Sequence, residues 1–271
     1  MSDPFVLRPI GIIHSPFTTT EEIPLDGGRC VVEVFSPYAD GLDGIDGSSH
    51  LVVMGFLHLS ERDILKTRPR KVDPGGPEKG VFSTRSPVRP NPVSLTIVPL
   101  VGRDGLLLTV DHLDLVDGTP LVDLKAYSPG WDGVFSARHS FRANAAALDH
   151  TRLIACMERD LENFVGSAAS EPAARWGLCA AFVGACAIGV DPRQPALRLR
   201  VNRASVITEA LMAVTGAAQC NGRLVVEPDD APLCVAFEHG ERRLELTAAL
   251  DSVPREVDDW APAFAVRRFG F

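Results

Sequence analysis

At 271 residues, with 45% hydrophobic and 23% charged side chains, the chain has room for two domains of about 100–150 residues and a globular composition, which excludes disorder. Its formal net charge of -8 excludes an all-over basic nucleic-acid coat protein but permits a local basic groove on an acidic body. Six cysteines (Cys30, Cys156, Cys179, Cys186, Cys220, Cys234) without a CxxC pair, an N-terminus lacking a basic start and apolar core, and no run of roughly 18 apolar residues predict a cytoplasmic chain with free thiols and no membrane span.

From residue 5 to 127 short apolar or alternating runs are punctuated by Gly, Pro and Asp, a pattern that predicts an all-β barrel or sandwich. The expected strands are "LRPIGIIHS", "CVVEVF", "HLVVMGFLHL", "VSLTIVPLVG", "LLLTVDHLDLVDG" and "PLVDLKAY", with an Asp-Gly hairpin turn in "VGRDGLLLTV". After "SPGWDG" the period changes. Residues 143–165 place Leu153, Ile154, Met157, Leu161, Phe164 and Val165 at the spacing of an amphipathic helix. The small, polar "GSAASEPAA" then reads as a helix end or linker, and the domain boundary is expected near it. Two further helices are expected in "RWGLCAAFVGACAIGV", which carries a small-residue face, and in "ASVITEALMAVTG", which Gly216 stops. With "ALRLRV", "GRLVVE", "LCVAFE" and "RRLELTAAL" as strands, the second half is expected to be α+β.

In "TRSPVRPNP", residues 84–92, three prolines fix φ and push their predecessors toward extended backbone, so Arg85, Arg89 and Asn91 sit on a stiff frame. Guanidinium forks held this way suit a carboxylate or phosphate; a proline-rich surface turn with snorkelling arginines fits the spacing equally well. "DHLDLVDGTPLVDLKAY" carries Asp111, Asp114, Asp117 and Asp123 around a Gly-Thr-Pro turn. Lys125 and Tyr127 follow at strand alternation as polar handles for a substrate, should that face line a pocket. His50 and His58 lie eight apart with no third ligand at a recognisable spacing, so no metal is expected. The glycine fingerprints of dinucleotide and phosphate sites and the nucleophile elbow are absent.

Four blocks, "PIGIIHSPF", "SSHLVVMGFLH", "GVFSTRSPVRPNPVSL" and "LDLVDGTPLVDLKAY", follow one another as in the TsaA/TrmO-like family, which residues 5 to 130 resemble. The resemblance implies a single-sheeted β-barrel, S-adenosyl-L-methionine as methyl donor, a homodimer with the donor near its interface, and methylation of N6 of threonylcarbamoyl-adenosine in tRNA. Carried over, the donor residues are Gly27, Gly28 and Arg29 in the loop before the second strand, His58 and Leu59 at a strand end, Arg85, Arg89 and Leu95, and Asp114, Leu115, Val116 and Asp117. Asp117 is the first candidate for the base that takes the N6 proton, with Asp114 and His58 behind it. From Glu61 to Arg89 eight Lys/Arg face four Asp/Glu; Lys66, Arg68, Arg70 and Lys71 are the expected contacts to an RNA backbone, with Asn91 beside them, and a solvated loop is the alternative. Two departures stand out: Ser94 replaces a glycine of the family's "RPNPIG", and Ala126 replaces the proline of its "KPY".

The second half resembles a small metal-associated domain of formylmethanofuran dehydrogenase through "EALMAVTG" and "NGRLVV". Its expected ligand positions are reduced to Cys179 and Glu209, too few for a metal, so a metal-free module for substrate selection or dimerisation is expected. The domain plan is thus a barrel over 1–138, a connecting helix and linker over 139–168, and an α+β domain over 169–271. The function expected is a tRNA-directed methyltransferase; the alternatives are methyl transfer to a small metabolite and a non-catalytic donor-binding sensor or scaffold.

Overall fold

The computed structural model describes residues 6–69, 71, 75–134, 150–248 and 259–271. The chain divides into two units, Met1–Ser136 and Ala137–Phe271, each built on its own apolar core.

In the first unit six strands close into one antiparallel barrel. They are β1 (Gly11–His14), β2 (Gly28–Val34), β3 (His50–Gly55), β6 (Thr96–Asp104), β7 (Leu107–Leu113) and β8 (Pro120–Ala126). Around the ring they run β1-β2-β7-β6-β3-β8, and Gly11 opposite Leu121 closes it. Alternation puts Ile13, Val32, Val34, Leu51, Val53, Val98, Leu108, Val110 and Leu121 inside, where they form the core. Gly11 is required at the seam, because a Cβ there would lie 2.0 Å from the Glu33 carbonyl oxygen. The expected hairpin joins β6 to β7, with Asp104 paired to Leu107 and Gly105 at φ 59 between them.

Several boundaries differ from the sequence reading. β1 starts at Gly11 rather than Leu7, and β7 stops at Leu113, so that residues 114–118, expected at the end of that strand, lie in a turn. The histidine strand stops at Gly55, since only the bridge Phe56–Val93 follows it; His58 therefore lies in a turn, where Ser60 N–H donates to the Leu57 carbonyl at 3.0 Å. β6 starts at Thr96 rather than Val93, whose N–H turns back to the Asn91 carbonyl at 2.8 Å. A short pair outside the expected set, β4 (Lys66–Thr67) and β5 (Lys79–Gly80), stiffens the excursion between β3 and β6.

Past a single turn, α1 (Pro129–Asp132), the second unit packs three helices on a sheet. The helices are α2 (His150–Val165), α3 (Pro172–Ile188) and α4 (Val206–Thr215). The sheet runs β10 (Leu224–Val226), β9 (Arg198–Val201), β11 (Cys234–His239), β12 (Arg242–Ala248), β13 (Phe264–Phe269), with only β9 and β10 parallel. The small-residue face of α3 does what its composition predicts. A Cβ on Gly177 would lie 2.6 Å from that of Ala210 on α4, and one on Gly184 would meet the Phe237 ring at 2.5 Å. Gly216, at φ 63, ends α4 as expected, and Arg193 and Arg223 donate to the free carbonyls of Ala213, Val214 and Thr215.

The chain divides after Ser136, close to the end at 138 expected for the barrel, whereas the stretch "GSAASEPAA", also expected to mark a boundary, falls within the second unit, where residues 166–170 form a 3-10 turn between α2 and α3. The helix expected as a connector belongs to the second unit, because Leu153, Ile154, Met157 and Leu161 are buried in that unit's core. The part of it expected before His150 lies outside the described residues. The last strand, β13, is an addition to the strands expected from the sequence.

Candidate active site

Because neighbouring strands alternate in direction, one end of the barrel gathers the exits of β1, β3 and β7 and the entries of β2, β6 and β8. Four segments singled out in the sequence meet there: residues 14–17, 26–29, the loop from 80 to 95, and the turn from Asp114 to Thr119. Tyr127 does not join them, and Lys125 meets only Leu95 of them, across a cavity also lined by Met54 and Ile97. Lys125 pairs with Val52, and Tyr127 N–H donates to the His50 carbonyl, which places Tyr127 toward the opposite end.

The "DLVDGTP" turn is stapled to the chain leaving β1. Ser15 N–H donates to Asp117 Oδ1 at 2.9 Å, Asp117 N–H to the Phe17 carbonyl at 2.7 Å, and Gly118 N–H to the Ile13 carbonyl at 2.9 Å. Gly118 takes φ 74, and the Thr119 hydroxyl donates to the Val116 carbonyl at 2.7 Å. Leu115 and Val116 are buried and anchor the turn; Asp114 and Asp117 are exposed at the rim. One oxygen of Asp114 accepts the Thr96 hydroxyl at 2.6 Å, so the carboxylate is oriented rather than loose.

The arginine loop is braced by its own cations. Arg89 donates through Nε to the Ser86 carbonyl at 2.9 Å and through Nη2 to those of Thr84 at 2.8 Å and Val81 at 3.3 Å. Its job in this arrangement is to hold the loop in shape. Arg85 is exposed and spends Nη2 on the Leu95 carbonyl at 2.6 Å, which leaves its other donors to a ligand. Ser94, the departure from the family glycine, ties the loop to β3: Gly55 N–H donates to its hydroxyl at 2.9 Å and its own N–H to the Gly55 carbonyl at 2.8 Å. His58, Leu59 and Asn91 are exposed beyond this knot. Lys66 and Arg68 are exposed on the excursion, whereas Lys71 Nζ donates to the carbonyls of Thr20 and Ile23 and so braces the loop after β1. Arg70 lies outside the described residues.

Between β2 and β7 the ladder slips: Gly28 faces Leu113 and Cys30 faces Val110, so Arg29 stands opposite two residues, Asp111 and His112. His112 takes φ 57, the one left-handed residue other than glycine among those described. Its Nδ1 lies 3.2 Å from the Asp26 carbonyl, and its own backbone packs so close to Gly27 that a Cβ there would meet it at 2.6 Å. His112, Ser15 and Thr96 are not among the residues that sequence reasoning singles out. For His112 the letters hold a signal: the apolar phase of Leu108 and Val110 is broken and resumes one residue late at Leu113 and Leu115.

Asp111 joins these parts. It accepts the Arg29 guanidinium at 2.8 Å and His112 N–H at 3.0 Å. Burial alone would push its carboxyl up; the Arg29 bond and the His112 contacts outweigh that and hold it below the ordinary 3.8. A lowered folded value stabilises the fold above the unfolded-chain value and fades as pH falls through the folded one. Thermal unfolding followed from neutral pH down to about pH 2 is therefore expected to show a smaller acid loss in Asp111→Asn than in the unsubstituted chain. Equal acid slopes in both would contradict the assignment.

A six-stranded antiparallel barrel, with a carboxylate turn and a proline-stiffened arginine loop at one end, defines the class. Residues 12–133 match the model of the tRNA-methyltransferase O N-terminal domain, and the chain belongs to that family. Over 125 residues it is 41% identical to a probable S-adenosyl-L-methionine-binding protein of Methanothermobacter thermautotrophicus, covering 45% of this chain and 88% of that one. An S-adenosyl-L-methionine-binding protein of Archaeoglobus fulgidus is 40% identical over 134 residues, 48% of this chain and 94% of the relative. The tRNA (adenine(37)-N6)-methyltransferase of Escherichia coli is 32% identical over 157 residues, 54% of this chain and 67% of that enzyme.

Proposed function

We propose that the chain binds S-adenosyl-L-methionine at the gathered end of the barrel and transfers its methyl group to N6 of a modified adenosine in tRNA. The observation that carries the donor reading is the convergence of Asp114, Asp117, Arg85 and the Gly27–Arg29 loop on one rim. Their chemistry suits the donor: two exposed carboxylates complement its sulfonium and ammonium, the free donors of Arg85 its carboxylate, and exposed Leu95 the face of its adenine. When bound, the donor supplies an electrophilic methyl carbon, so the protein's task is in-line positioning and removal of one proton from the attacking nitrogen. Asp117 is the proposed proton acceptor.

The tRNA acceptor is supported by the name of the Escherichia coli relative and by the cations Arg62, Lys66 and Arg68, exposed on the excursion that leaves this same end. For the second unit we propose a metal-free module of the formylmethanofuran dehydrogenase type. Burial, chiefly, pushes the Cys179 thiol up to about 12, so it packs as a small apolar group, while Glu209 is exposed. A second reading, donor binding without transfer, draws on the relatives named only as binding proteins.

Mass spectrometry of tRNA incubated with the full chain and labelled donor separates these readings. Label on N6 of threonylcarbamoyl-adenosine is the expected result. Donor binding in calorimetry with no label in any tRNA would overturn the acceptor, and no donor binding would overturn the whole proposal.

A further inference from the structure

We infer that His112 is a positioning residue of this site: its left-handed backbone and its imidazole together hold the Asp26–Arg29 loop against the Asp114–Asp117 turn. The inference rests on the donor reading above.

Strand parity makes an extra residue necessary at this point. Leu108 and Val110 point into the barrel, so an unbroken strand would next send in His112 and Asp114 and turn out Leu113 and Leu115. That arrangement would bury a carboxylate and expose two leucines. The extra residue opposite Arg29 reverses the parity: Leu113 and Leu115 are fully buried or nearly so, and Asp114 reaches the rim, where Thr96 orients it. Here the reversal passes through a residue at positive φ, His112 at φ 57. Glycine would take that φ without strain, so the backbone alone does not call for a histidine. The imidazole adds a link. A carbonyl only accepts, so Nδ1 carries the proton in the 3.2 Å contact to Asp26, and this bond reaches from the end of β7 to the loop that opens β2. Asp111 reinforces it from the other side, accepting both His112 N–H and Arg29. His112 is thus where the two donor-binding segments are set relative to each other.

Three full-length chains test this, with calorimetric binding of S-adenosyl-L-methionine, donor KM and kcat, and thermal unfolding as readouts. His112→Gly keeps the backbone and removes the ring. It is expected to fold as the unsubstituted chain does and to bind the donor about five- to tenfold more weakly, the loss appearing in KM rather than kcat. His112→Asn tolerates the left-handed conformation, and its amide nitrogen falls near the place of Nδ1; it is expected to restore affinity to within about twofold. Unchanged affinity in His112→Gly would overturn the inference, as would His112→Asn binding no better than His112→Gly. An unsubstituted chain that binds no donor would overturn the underlying reading instead, and that arm is read before either variant.

Discussion

Gly27→Ala is expected to weaken binding of S-adenosyl-L-methionine roughly thirtyfold or more while the barrel stays folded. Gly27 takes φ 75, where a side chain alone costs about 1–2 kcal/mol, and its Cβ would lie 2.6 Å from the carbonyl carbon of His112 and 2.9 Å from that of Leu113. Those atoms are backbone of the bulge, so neither can swing aside as a flexible side chain would. The loop must move away from β7, and with it go Arg29 and its bond to Asp111. Gly105→Ala is the matched control. Gly105 has a similar φ of 59, yet a Cβ there meets nothing within 4 Å, and it sits in the hairpin at the opposite end. It should lose only the stability that the left-handed conformation costs a side chain, and no donor affinity. If both variants bind the donor equally well, the Gly27 loop is not part of the donor site.

That contrast bears on how much of the molecule is legible in its sequence. The barrel strands are readable because each carries its own alternation and is cut by Gly, Pro or Asp; their ends are misjudged, at Gly11, Gly55, Thr96 and Leu113, because a run of suitable letters continues past the last ladder bond. Helices α3 and α4 are readable for a similar reason, their stops being glycines in the left-handed region. The role of residues 166–174 is not, because a small, polar stretch serves equally as a turn within one unit or a linker between two; the burial of α2 distinguishes them. Within the site, residue types name the rim carboxylates and the arginine loop. Partners they cannot name: the carbonyls that occupy Arg89, the tether of Lys71 to residues 20 and 23, and the separation of Tyr127 from the rim all depend on which strand end a residue reaches. Ser94 shows the limit in the other direction. Written as a departure from glycine, it suggests altered backbone, whereas its hydroxyl instead accepts the N–H of Gly55 and adds a bond between two site segments.

Asp117→Asn carries the largest expected effect on turnover: kcat for methyl transfer should fall by about 10²–10⁴, well beyond the rise in donor KM that the lost charge beside the donor's cationic groups brings. The substitution preserves the fold of the turn. Asp117 Oδ1 already accepts Ser15 N–H at 2.9 Å, and an asparagine oxygen can take over that bond, so the staple between the turn and the chain leaving β1 survives. Oδ2 has no hydrogen-bond partner among the described residues, and it is the atom left to receive the N6 proton. Asparagine puts an NH₂ donor there, which cannot take a proton and opposes the developing positive charge on the attacking nitrogen. Asp114→Asn makes the informative comparison. One of that carboxylate's oxygens accepts the Thr96 hydroxyl, an arrangement suited to orienting a ligand, so its loss should appear mainly in donor KM. His58→Gln should leave kcat within about threefold, because His58 lies in an exposed turn beyond the Phe56–Val93 bridge. Full turnover in Asp117→Asn would remove Asp117 as the base; a collapse of kcat confined to His58→Gln would move that role to the imidazole.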